Sequence, residues 1–472
     1  MKPNGTKKYV LKFNGMRGGV ENEDLSFSKL SMGVSHVNGS LKSDVGMGRG
    51  KRQISVADSE EDLPILTLNS DDVYIKDLFL YRRTLSDGTY DDRLIAHTTN
   101  NLLYSLALYD SGDWTAIDGV TTNGKCCAVS FNSNGEDVAL ISGNTNNLIM
   151  INDTTASLNE NAPKFNSMAF HHERVFATTR NNRNRVWFSA DFNPLNWKVS
   201  AEEAGYIEFQ DEYGALLEII SLGDYIFVFK ENAIMRITAY ADQTEFTVTK
   251  ITVGLDRIIS GSIVQLGENI YFLTTSGLYS FDGYTVTRLN RFMPEIIDDR
   301  NLTACGLGDK YYYATRLEID GDEGIGENNA VVVYDLKQKT FSVIGGVDIL
   351  KLIAVTSHHL RRVYAVRKGD VYVSEITDDG SIYGLSTIKK WKSVESNFGT
   401  SAKKVLRRIN VFTKRDVKFC VIADGVKTTH EIFGSDKWQS VRIERSGYVM
   451  QFEIAGDSVD IKPIELEFDL VK

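Results

Sequence analysis

Four cysteines in 472 residues, none of them in C-x-x-C spacing, exclude a disulfide framework and a thiolate metal knuckle. Cys126 and Cys127 are adjacent, so in a strand they point to opposite faces; with Cys305 and Cys420 they are expected to be buried free thiols. No apolar run approaches the roughly 20 residues of a membrane helix. The opening MKPNGTKKYVLKFNG lacks the apolar centre of a secretion signal, so folding in a cytoplasm without membrane contact is expected. Helix-length periodic segments are missing between the strand-like runs, which excludes a parallel α/β sheet. Gly-x-Ser-x-Gly, a phosphate-cradling glycine loop, His-Glu-x-x-His and a dinucleotide fingerprint are all absent, so no catalytic residues and no cofactor are expected. A net charge of −10 offers no overall attraction for nucleic acid.

What is present is a repeat. Residues 214–283 hold two copies of one pattern, LLEIISLGDYIFVFKENAIMRITAY and then SGSIVQLGENIYFLTTSGLYSFDGYTVTRLN. Each has a β-rich run ending in Leu-Gly, a second alternating run, and a third closing on an aromatic residue. A period of two in β-branched and aromatic residues, broken by Gly, Asn and Asp, indicates short antiparallel strands. Related units of about 40–50 residues cover 76–119, 125–153, 166–200, 302–346 and 350–377, with KKWKSVES (389–396) as a closing strand of the last. One such sheet cannot bury both faces alone, so stacking into a wheel follows. The predicted fold is all-β, a β-propeller over 73–396, with seven blades favoured and six the alternative.

The two ends differ from the repeat. Residues 1–72, rich in Gly, Ser, Asn and Lys, are expected to be an extended arm that wraps the molecule or crosses to another subunit, or else a disordered tail. Residues 397–472 hold alternating strands joined by Asp-Gly and Ser-Gly turns and are expected to form a small β-sandwich. Leu406, Ile409 and Val411 there alternate with Arg407, Arg408 and Asn410.

Candidate sites are few. The loop at 319–329 gathers Asp320, Asp322, Glu323 and Glu327, but its spacing departs from a calcium loop and a solvated hairpin tip is the preferred reading. His171-His172 and His358-His359 are read as turn-end residues facing opposite ways. Basic residues Arg180, Arg183, Arg185, Lys403, Lys404, Arg407 and Arg408 are candidates for contact with DNA or a partner, Arg beside Trp187 being able to pair with phosphate and stack.

Residues 165–283 resemble a known family. Arg174-Val175-Phe176, then Arg185-Val186-Trp187-Phe188-Ser189, then Asp191-Phe192-Asn193-Pro194-Leu195-Asn196-Trp197 and the strands of 214–240 are similar to the propeller proteins of tailed-phage virions, notably the packaged-DNA stabilisation, or head-completion, proteins of short-tailed phages. The resemblance implies a virion protein of the neck, stopper or tail hub, assembled in the host cytoplasm. It would form a ring of like copies against portal, adaptor or tail proteins, helping to retain packaged DNA or attach the tail. Acidic residues facing a DNA channel would fit that placement. A glycan- or receptor-binding propeller at a tail tip, and a propeller hydrolase with two acids at the channel mouth, are the alternatives.

Overall fold

The computed structural model describes residues 7–12, 17–18, 27–37 and 40–53, and from 73 to 471 all except 86, 109–113, 134, 144–146, 201–202, 241, 291–293, 320–325, 357–359, 371, 378–379 and 383–385. The chain is all-β, its one described helical element being a 3-10 turn at Gln243–Glu245. Antiparallel sheets of four strands succeed one another, their first strands being Ile75–Thr84, Cys127–Ser133, Phe165–His171, Leu216–Leu222, Val264–Leu266, Ile296–Leu307 and Ile349–Thr356. Each meanders outward through short turns. Leu222 pairs with Tyr225 and Leu266 with Asn269, so the two Leu-Gly signals mark two-residue hairpin loops. Gly223 and Gly267 take the positive φ such loops require, 57° and 65°.

Successive sheets bury common cores. Phe79, Tyr81 and Ile95 of the first pack with Ile141 and Ile149 of the second, and Phe131 and Leu140 of the second with Phe165 and Val175 of the third. The same sharing continues through the fourth, fifth and sixth sheets to the seventh. Val355 and Val366 of the seventh then meet Leu78 and Leu94 of the first. Because every sheet is covered on both faces, its middle strands read as unbroken apolar runs such as Tyr311-Tyr312-Tyr313-Ala314 instead of alternating. This arrangement is that of a β-propeller.

The last strand of the seventh sheet comes from the start of the chain. Gly46–Gln53 pairs antiparallel with Tyr372–Thr377, and Met47 is fully buried between the sixth and seventh sheets. The expected closing strand goes elsewhere: Lys389–Ser393 pairs with Met450–Gly456 on one side and Phe27–Met32 on the other. Its alternation, with Trp391 buried, fits either sheet, and the long-range partner decides. The expected outer strand of the third unit is also displaced. Residues 196–200 lie outside the four-stranded ladder, Trp197 packs on Phe165 with ring centroids 4.5 Å apart, and Gly205–Glu208 is the fourth strand.

Residues 389–471 form two layers. One is ordered Lys7–Lys12, Glu465–Val471, Lys403–Val411, Gln439–Gly447; the other runs Phe27–Met32, Lys389–Ser393, Met450–Gly456, Val417–Ala423, Val426–Ile432. They share a core of Trp391, Leu406, Ile409, Phe419, Phe452 and Leu466. The nearly perfect alternation expected at 403–411 is interrupted by a bulge, because the register slips between Leu406 and Arg408. The extra residue lets Arg407 and Arg408 both face outward while Leu406 and Ile409 both face in. Phe27–Met32 also touches Thr340–Gly345 of the sixth sheet, and the Gly33 N–H donates to the Val343 carbonyl at 2.7 Å. Ten strands thereby form one continuous sheet across the two parts of the molecule. The described strands of the arm all join sheets of their own chain.

Candidate functional site

Four of the innermost strands slip register by one residue near their start, at Ile75/Asp77, Phe165/Ser167, Leu216/Glu218 and Ile349/Lys351. A bulge re-aims the residue that follows it. Asp77, Ser167, Glu218 and Lys351 accordingly line one cavity of about 770 Å³ at the centre of the wheel, together with Cys127, Ile263 and Thr303 from the other innermost strands or their approaches. The sequence carries a signal for this in the apolar-x-polar starts Ile75-Lys76-Asp77, Phe165-Asn166-Ser167, Leu216-Leu217-Glu218 and Ile349-Leu350-Lys351. Alternation predicts an apolar third residue at each.

The polar groups tie neighbouring sheets together. Ser130 Oγ accepts from the Arg82 N–H at 3.3 Å, Ser167 Oγ from Ile219 N–H at 3.2 Å, and Thr303 Oγ1 from Leu352 N–H at 3.2 Å. The Glu218 carboxylate accepts from the Gly261 N–H, and Lys351 Nζ lies 3.4 Å from Asp77 Oδ1. Burial raises the pKa of Glu218, against the pull of the Gly261 N–H and the ammoniums of Lys125 and Lys351. For Lys351 burial opposes the charge, yet Asp77 and then Glu218 outweigh it and leave the pKa above that of an ordinary lysine. Cys126 is pushed up to about 11, chiefly by burial, and Cys127 to about 12 for the same reason, so neither is a ready thiolate. His97, whose Nε2 is 2.8 Å from the Thr122 carbonyl, is lowered by burial.

The basic residues singled out in the sequence lie in two separate sheets. Arg180 donates to the carbonyls of Phe165, at 2.9 Å, and Lys125, bridging the second and third sheets beside the cavity mouth. Arg183 is 3.5 Å from Glu231, and Arg185 pairs with Glu208 at 3.4 Å while lying 4.1 Å over the Tyr206 ring. Trp187 itself packs against Tyr206, the rings tilted by 47° with centroids 5.2 Å apart. On the C-terminal layers Lys403 is exposed, whereas Lys404 is fully buried and donates to the carbonyls of Thr400 and Tyr448 at 2.7 and 2.6 Å. Arg407 pairs with Asp469 at 2.8 Å; Arg408 stands exposed beside Glu467 in the register. Of the acidic loop, Asp320, Asp322 and Glu323 lie outside the described residues, and Glu327 pairs with Lys368 at 3.1 Å. Among the described residues no group of three or more His, Cys, Asp or Glu is arranged for a metal ion.

The cavity at the centre of the wheel is lined by Lys76, Lys125, Lys351 and Lys368 against Asp77, Glu218 and Glu327. One expectation is corrected here. The rings of His171 and His172 do not diverge. His172 has φ 51°, and this left-handed turn brings the ring centroids to 4.1 Å.

His171 is buried, 2.8 Å from Ser221 Oγ through Nδ1, and its pKa is pushed down to about 4, by burial and then by His172. The folded value lies below the ordinary value of about 6.5, so the unfolded chain binds the extra proton first as pH falls. Its contribution is complete above pH 6.5 and is lost as pH drops toward 4. His171→Asn is expected to reduce the loss of stability between pH 7 and pH 5 by roughly 2 kcal/mol, read from denaturation midpoints at the two values.

No protein-family model matches the chain, and no curated protein matches it in sequence. Among solved structures it is similar to BBS1N in its complex with ARL6DN, soaked with lead, at 10% identity and TM-score 0.43 over 67% of this chain and 94% of that one. It is also similar to the extracellular domain of BT4673 from B. thetaiotaomicron, at 12% identity and TM-score 0.41 over 79% of this chain and 47% of that one.

Proposed function

We propose that the chain is a structural protein of a tailed-phage virion, part of the head-to-tail connection, built as a seven-bladed β-propeller followed by a C-terminal β-sandwich. The observation that supports it best is the ten-stranded sheet running from Ile296–Leu307 through Phe27–Met32 to Val426–Ile432, which couples the two parts through backbone hydrogen bonds in place of a free linker. A molecule held this way is suited to fixing the positions of its neighbours. The resemblance of residues 165–283 to head-completion propellers points the same way, and the cycle of shared cores that returns from the seventh sheet to the first supports the blade count.

In this role copies of the chain close a ring by heterologous contact and meet portal, adaptor or tail proteins. Apolar surface for such contacts is available at the ends of the C-terminal layers, where Phe433, Trp438 and Tyr448 are 68%, 54% and 54% exposed. Arg185 and Arg407 already hold carboxylates, so packaged DNA would have to displace Glu208 and Asp469; protein partners are the better fit there. Phage carrying a stop codon in this gene are expected to yield DNA-filled heads that lack tails or lose their DNA to nuclease. Infectious tailed particles made without the polypeptide would end the proposal.

Asp77 and Glu218, two carboxylates in one cavity, give the hydrolase alternative a concrete site. A glycan and ester panel comparing the native chain with Glu218→Gln tests it: turnover abolished by that change supports an enzyme, and no turnover leaves the assembly role.

A further inference from the structure

The central cavity has a charge and hydrogen-bonding balance that the assembly role does not use. Where the innermost strands begin its lining includes exposed Lys125 and Glu327 and half-buried Tyr74 and Lys76, so the cavity opens to solvent at that end, its mouth, beside turns that carry Thr99 and Lys368. At about 770 Å³ it is within the range of small-molecule sites, roughly 300–1,000 Å³.

Counting charges along its lining, Lys351 is matched by Asp77 and Lys368 by Glu327, at 3.4 and 3.1 Å. The Glu218 carboxylate accepts from the Gly261 N–H and stands in the field of the Lys125 and Lys351 ammoniums. Lys76 and Lys125 remain, and neither ammonium has a hydrogen bond or ion pair to any described residue. Arg180, bound to the Lys125 carbonyl, holds a third cation close by. Four ammoniums against three carboxylates leave the concave lining with an excess of positive charge, which draws an anion.

The hydroxyls deepen the imbalance. Ser130 Oγ, Ser167 Oγ and Thr303 Oγ1 each accept from a backbone N–H of the adjoining sheet, so each keeps its own proton to donate, and no described acceptor takes it. The cavity therefore offers donors in excess of free acceptors. A ligand that is anionic and rich in acceptor oxygens answers both features, and Lys is a point-charge partner for phosphate.

We propose that the central cavity binds a small phosphate-bearing solute, its phosphate held by Lys76 and Lys125 at the mouth and its remaining oxygens met by Thr303, Ser167 and Lys351. Calorimetric titration of the full chain in phosphate-free buffer would use inorganic phosphate, glucose 6-phosphate, glucose and sulfate as probes. Glucose 6-phosphate and phosphate should bind, glucose should not, and Lys76→Gln with Lys125→Gln should weaken binding at least tenfold. Lys437→Gln, an exposed lysine on the C-terminal layers, should leave it unchanged. Should the double variant fail to fold, each single change and Thr303→Val are expected to weaken binding separately. Absence of heat with every phosphate probe at millimolar concentration, glucose binding as well as its phosphate, or undiminished binding by the lysine variants would overturn the proposal; sulfate matching phosphate would reduce it to non-selective anion binding.

Discussion

A chain started at residue 54 is expected to lose the single unfolding transition of the intact molecule and to associate in solution. The missing segment supplies Val34, Leu41, Val45 and Met47, all 7% exposed or less. At about 1.5–3 kcal/mol for each buried side chain, their loss comes to roughly 6–12 kcal/mol, comparable with the whole net stability of a typical domain, about 5–15 kcal/mol. It also takes a partner from five strands, Thr340–Gly345, Tyr372–Thr377, Lys389–Ser393, Asp460–Ile461 and Glu465–Val471. Scanning calorimetry should split into separate transitions for the two parts, and size-exclusion chromatography should show species larger than the intact chain gives. A milder test is Met47→Ala, which should cost about 2–5 kcal/mol. One transition at the native temperature from the shortened chain would mean that the arm is ornamental.

Gly261→Ala should be the most damaging single methyl addition beside the cavity. Gly261 has φ +80°, and a Cβ there would lie 2.1 Å from the Leu302 carbonyl oxygen, part of the adjoining backbone that cannot swing aside as a side chain would. Its N–H is also the donor that holds Glu218. Strain, overlap and the shift of that N–H away from Glu218 as the backbone yields should together cost about 3 kcal/mol or more. Gly308→Ala supplies the contrast: φ is +61° but nothing lies within 4 Å of the new methyl, so the cost should be nearer 1 kcal/mol. Denaturation midpoints that fall equally for the two variants would remove the steric part of the explanation.

The strands that the sequence announces most clearly are those whose neighbours lie within a few residues. Tyr225–Lys230 and Asn269–Thr274 follow two-residue glycine loops and carry alternating or continuous apolar residues, so type, register and partner could all be read locally. Thr155–Asn159 escaped because it is an outer strand with scarcely a buried side chain, leaving no pattern to find. Gly46–Gln53 escaped for a related reason: GMGRGKRQ looks like linker, yet ladder bonds are made by backbone groups, which glycine provides as well as valine. Lys389–Ser393 was legible as a strand but not as to sheet, since its partners lie 60 residues away in one direction and hundreds in the other. The cavity residues were hidden by the bulges: Asp77, Glu218 and Lys351 break an alternation that, on paper, looks like noise at a strand end. Arg180 was found by its charge, but its position beside Lys125 follows only from the stacking of the second and third sheets.

The pairing of Lys7–Lys12 with Glu465–Val471 sets an order of events during synthesis. At roughly 5–20 residues per second, roughly 20–90 s separates the emergence of the two strands from the ribosome. Throughout that wait Lys7–Lys12 has no mate, and a nascent polypeptide halted before Glu465–Val471 cannot form this pairing. Only copies that carry both strands can complete this sheet, a form of proofreading that requires no separate inspector.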